Sequence, residues 1–144
     1  MKTSTLENCL KQYNSFNGWE KEFDFQRQKL EKQFPYSVIV EGAYPEFDMA
    51  TKWCIDRIGP TDETNNWKEI KSKTGDYEPI QFVKNGHWSN LWFDKIGYDY
   101  GFSEFYFKED KDLRAFTEAL PSFYGTGPKG RWKTEGYEKF IDFQ

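Results

Sequence analysis

Tyr36-Ser37-Val38-Ile39-Val40-Glu41, followed after Gly42 by Pro45-Glu46-Phe47-Asp48-Met49-Ala50-Thr51-Lys52-Trp53-Cys54-Ile55-Asp56-Arg57-Ile58-Gly59-Pro60, is the stretch that decides the fold. Its first part is short and β-branched, the pattern of a buried strand. Gly42 breaks that strand. Pro45 then stands in a first helical turn, where its missing amide hydrogen removes no bond. Phe47, Ala50, Cys54 and Ile58 recur on one face of a 3.6-residue repeat. Gly59 suits a helix C-cap and Pro60 a stop. A strand that runs straight into a helix with one apolar stripe needs a sheet for that stripe to cover.

Toward the N-terminus, Ser4-Thr5-Leu6-Glu7 has the Ser-x-x-Glu form of a capping box. Leu6, Cys9, Leu10 and Tyr13 follow at helical spacing, so a short helix is expected over about 5–14. A second helix is expected from Trp19 to Gln33, with Trp19, Phe23, Leu30 and Phe34 on one stripe and Pro35 ending it. Toward the C-terminus the pattern becomes β-like. Trp67 to Lys71 reads as an edge strand whose lysines discourage pairing. Pro79 to Lys84 reads as a strand turned by Asn85-Gly86 into Trp88–Phe93. Gly101 to Phe107 is a further strand, with Phe102, Glu104 and Tyr106 on one face and Ser103, Phe105 and Phe107 on the other. Glu109 or Asp110 can cap a helix carrying Leu113, Phe116 and Leu120, ended by Pro121. Gly136 to Phe143 alternates as an edge strand would. No repeat or linker interrupts the chain, so residues 1–144 read as a single α+β domain: a small antiparallel sheet with helices on one face and an N-terminal helical extension.

Composition narrows the function classes. The chain has 144 residues, a mean hydropathy of -0.93, and 20% aromatic residues. Disordered chains are poor in rings, and here rings outnumber Ala, Val, Ile and Leu together. A net charge of -4 and a pI near 5.1 argue against a general binder of phosphate backbones. The two cysteines, Cys9 and Cys54, form no CxxC and no Cys/His cluster, so reduced thiols in the cytoplasm are expected, with no metal and no cofactor. The first residues lack the apolar run of a secretory signal, and no apolar run approaches the ~20 residues of a membrane span.

Ala50-Thr51-Lys52-Trp53-Cys54 with Ile58-Gly59, and then Phe105-Tyr106-Phe107-Lys108-Glu109-Asp110-Lys111-Asp112-Leu113-Arg114-Ala115-Phe116, have a further quality in common. Over about residues 35–120 the pair resembles small uncharacterised accessory proteins of large tailed bacteriophages. The resemblance implies a strand–helix–strand–strand–helix core of ferredoxin-like kind. It implies no catalytic residue.

Four constellations bear on chemistry. Gly125-Thr126-Gly127-Pro128-Lys129-Gly130 spells GxGxxG, but a dinucleotide fingerprint needs a strand before it and a helix directly after. Its bland reading is a surface loop. Its functional reading is an anion- or nucleotide-binding loop with Lys129, Arg131 and Lys133 as the charges. His87 is the sole histidine and reads as a turn-flanking residue, since no partner is visible to orient it as a base. Glu41, Glu46 and Asp48 gather at the strand-to-helix junction, where negative charge suits the first helical turn. Trp88, Trp92, Phe93, Tyr98, Tyr100 and Phe102 crowd a glycine-broken stretch. Core packing accounts for many of them, and an interface for the remainder, because Trp and Tyr dominate binding energy.

The reading that follows is a non-enzymatic protein-interaction module, phage-encoded, that binds and inhibits or modulates a host protein in the host cytoplasm through Trp88, Trp92, Tyr98 and Tyr100. A small-ligand or nucleotide binder using loop 125–133 is the alternative. Stacking of single-stranded nucleic acid on the rings is disfavoured by the acidic balance. The sequence leaves the oligomeric state open.

Overall fold

A computed structural model describes residues 1–12, 19–65, 69–71, 76–96 and 100–123. In chain order the elements are β1 (Lys2–Ser4), α1 (Leu6–Gln12), α2 (Trp19–Gln33), β2 (Tyr36–Ala43), α3 (Tyr44–Arg57) and β3 (Thr61–Asp62). They continue with β4 (Glu69–Lys71), β5 (Tyr77–Pro79), β6 (Phe82–Val83), β7 (Trp88–Ile96), β8 (Tyr100–Phe107) and α4 (Asp110–Ala119), closed by a 3-10 turn at Leu120–Ser122.

The main sheet has four strands in the order β1-β2-β8-β7, every neighbouring pair antiparallel. β2 and β7 are therefore parallel with β8 between them, and the connection from one to the other runs through α3 and then the short strands β3 to β6. β2-α3-β7-β8-α4 is the strand–helix–strand–strand–helix core, and β1 lines the outer edge of β2 where the ferredoxin-like arrangement places its last strand. β1 went unread in the sequence because Lys2-Thr3-Ser4 has no apolar alternation. It is half of the pairing that closes the sheet on that side: Lys2 lies opposite Glu41 and Ser4 opposite Ile39.

Strand periodicity sorts the sheet's side chains into two cores. Val40, Trp88, Phe105 and Phe107 join Phe47, Ala50 and Cys54 of α3 and Phe116 of α4. Ile39, Leu91, Phe102 and Tyr106 face the other way and meet Cys9 of α1 with Leu30 and Phe34 from α2 and its end. The core helices α3 and α4 share one face, as expected. The N-terminal helices are more than an extension: they cover the opposite face, which Phe102 and Tyr106 require, since two large rings there need burial.

The α3 boundaries agree with the Pro45 and Gly59 signals. Gly59 takes φ +134, open to glycine and strained for other residues, and its amide donates to the Cys54 carbonyl at 3.1 Å. Glu46 reaches back to accept from the Ala43 amide at 2.9 Å, closing the helix start. The expected strand from Pro79 to Lys84 is two strands instead. β5 pairs with β4 in a separate ribbon, β6 pairs with β3 in parallel, and Ile80 between them is buried. Asn85 takes the left-handed φ of 55 that its dipeptide predicts, yet it turns the chain from one sheet to another rather than making a hairpin. The physical reason is Asp62. Its Oδ1 accepts from the Gly86 amide at 2.7 Å, and its Oδ2 accepts from the Thr64 amide at 3.0 Å and hydroxyl at 2.8 Å. That carboxylate ties β6 to β3. The expected strand at Gly136–Phe143 lies outside the described residues.

Candidate functional site

The rings divide sharply between interior and surface. Trp88 is 0% exposed, stacks on Phe105 at 6.2 Å, and donates its indole N–H to the Gly59 carbonyl at 2.7 Å. Phe116 knits the same layer together, 4.6 Å from Phe105, 5.2 Å from Phe107 and 5.7 Å from Trp53. Trp88 thus belongs to the core and is corrected from the expected partner-binding set. Its strand position places it on the α3/α4 face, and its one polar atom is already satisfied. Trp92 is half-buried and meets Phe47 edge-on at 4.7 Å. Tyr100 opens β8, opposite Ala43 and Ile96. Tyr98 lies outside the described residues, as do Lys129, Arg131 and Lys133.

Among the described residues, the rings that face solvent are others: Phe25 on α2 at 62% exposure, Tyr77 on β5 at 63%, and to a lesser degree Tyr36 at the start of β2. The signal for Phe25 was present in the sequence. It stands two residues beyond Phe23, about 200° around the helix from the Trp19–Phe23–Leu30–Phe34 stripe. Tyr77 had no such signal, because the β4–β5 ribbon was not read as a separate unit.

Inside, the charged groups are engaged with one another. Glu104, on the central strand β8, is held by Arg27 of α2 through Nε at 2.7 Å and a second guanidinium nitrogen at 3.2 Å. Ser37 donates to the same carboxylate at 3.1 Å, and the Tyr106 hydroxyl also donates to it. The sequence reading missed this cluster. The available sign was a glutamate inside the aromatic run Phe102–Phe107, which can be buried only if its charge is matched. Burial would depress the Arg27 guanidinium, but its hydrogen bond and charge pairing with Glu104 prevail and hold it upward. Burial and then the Glu104 charge push the Tyr106 phenol upward. Beside them, burial drives the Cys9 thiol up to about 12 despite the nearby Arg27, and burial likewise raises Cys54 well above its ordinary value. Thiols so raised are poor nucleophiles at neutral pH.

Glu41, Glu46 and Asp48 are all buried, but they do not converge. Glu46 pairs with the amino group of Met1 and with the Ala43 amide, while Glu41 meets Lys2 at 3.5 Å. Among the described residues no group of three or more His, Cys, Asp or Glu side chains could hold a metal ion, and no helix is long and apolar enough to cross a membrane. His87 is exposed, and its carbonyl accepts from the Lys108 amide at 3.2 Å.

No family model, curated protein or solved structure matches this chain. The buried carboxylates Glu104, Glu46 and Asp62 spend their lone pairs on internal donors. The surface offers rings.

Proposed function

We propose that this chain is a protein-interaction module that docks a partner through outward-facing rings, Phe25 and Tyr77 foremost. One observation carries the reading: both rings are more than three-fifths exposed, although the chain has an interior built to take rings. Large apolar side chains at the surface are where partners gain most of their binding energy. Trp92, half-buried beside Phe47, can contribute its remaining edge. The internal engagement of Glu104, Glu46 and Asp62 supports binding over catalysis. The likeness of residues 35–120 to phage accessory proteins makes a bacterial host protein the partner to try first, with inhibition or modulation as the consequence.

The test is affinity capture from bacterial lysate with the wild-type chain and with Phe25→Ala/Tyr77→Ala, followed by titration of the captured protein. The double variant should retain the wild-type circular dichroism spectrum. Its affinity should fall by about thirtyfold or more, the equivalent of one lost hot spot of ~2 kcal/mol. Equal affinity of the two proteins contradicts the assignment of these rings.

A further inference from the structure

We infer that Thr51 of α3 and Asn90 of β7 together hold one buried water molecule. Both residues are 0% exposed, and neither Thr51 Oγ1 nor Asn90 Oδ1 has a hydrogen-bond partner among the described residues. The fold brings the two level with each other. α3 follows β2 and returns across the same sheet face, so it runs opposite to β2 and to the parallel strand β7. Two contacts set its position along β7. Phe47 near its start touches Trp92 at 4.7 Å, and Gly59 beyond its end accepts from Trp88 Nε1 at 2.7 Å. One helical turn from Phe47 to Thr51 advances about 6 Å. Two strand residues from Trp92 back to Asn90 cover about 6.6 Å in the same direction.

Asn90 has a fixed orientation. Its Nδ2 donates to Ser103 Oγ, and Ser103 in turn donates to the Leu91 carbonyl at 3.3 Å. Its Oδ1 is thereby aimed away from Ser103, on the sheet face that also carries Trp92 and Phe105. Buried polar groups are nearly always paired. A water meets both needs at once, donating to Asn90 Oδ1 and exchanging a second bond with the Thr51 hydroxyl, as interior waters do when they join two to four polar groups. The site takes a small neutral molecule that both donates and accepts, since Asn90 Oδ1 only accepts and the Thr51 hydroxyl can do either. It does not depend on the proposed docking rings.

A crystal structure that shows ordered solvent, together with water magnetic relaxation dispersion of the wild type and Thr51→Val, tests this. One water should lie about 2.7–3.2 Å from both oxygens, and the valine variant should lose one long-lived water from its dispersion signal. A direct Thr51–Asn90 hydrogen bond with no water between them overturns the inference. So does an unchanged number of long-lived waters in the variant. Should Thr51→Val fail to fold, the wild-type density decides, and Thr51→Ser, which keeps the hydroxyl, should keep the water.

Discussion

Glu104 is a carboxylate at the centre of a sheet, flanked across the strands by Ile39 and Leu91. Such a group is tolerable only while Arg27, Ser37 and Tyr106 all serve it. Glu104→Gln removes the charge that holds the guanidinium most closely and leaves it the more exposed Glu31, 3.5 Å away. Breaking a buried pair from one side costs about 3–5 kcal/mol, and the partial exposure of Arg27 argues for the lower end, near ~3 kcal/mol. The urea midpoint should fall accordingly. Asp112 in the first turn of α4 presents the opposite case. Burial, and then the Glu109 charge, raise its carboxyl above the ordinary value. The folded state therefore keeps this proton longer than the unfolded state, so stability drops as pH rises through the interval above the ordinary carboxyl range, and the penalty persists at neutral pH. Asp112→Asn should be more stable than wild type at pH 7. Its advantage should vanish in acid, where both forms of the wild type are protonated. Neither environment could be read beforehand. The sequence shows that Glu104 sits among rings, but not that an arginine 77 positions earlier lies across from it.

At the scale of elements, legibility followed local sufficiency. α2, β2 and α3 were readable because periodicity, Pro45 and Gly59 act within a few residues of the feature they set. The two faces of β8 followed from alternation alone. The β5–β7 region misled because Asn85-Gly86 carries a hairpin signal whose outcome depends on Asp62, a residue on another strand. Gly86 shows how tight that seam is. A Cβ there would lie 2.6 Å from the Asp62 backbone nitrogen and 2.7 Å from its Cα. Backbone cannot move aside as a side-chain tip can, so Gly86→Ala should destabilise by about 1–3 kcal/mol, the range for overpacking. Amide exchange at residues 61–65 and 84–89 should quicken before exchange in β8 does. Equal protection in variant and wild type would mean that the Asp62–Gly86 seam carries no stability.

Across the whole molecule, a four-stranded sheet covered on both faces takes up rings into two cores, and the N-terminal helices provide the second cover. That division was half legible. Composition showed more rings than a small interior readily hides, and correctly implied that some would remain outside. Which ones remain outside depends on the strand face on which each falls and on how the β4–β5 ribbon departs from the main sheet. Trp88 went inward for the first reason, and Tyr77 outward for the second. The docking proposal stands on this partition, and hydroxyl-radical footprinting of the free protein measures it directly. After correction for the intrinsic reactivity of each residue type, Phe25 and Tyr77 should be oxidised readily, with Trp88, Phe105 and Phe116 protected. Trp88 labelled as fast as Tyr77, or Phe25 protected along with the core, would contradict the account.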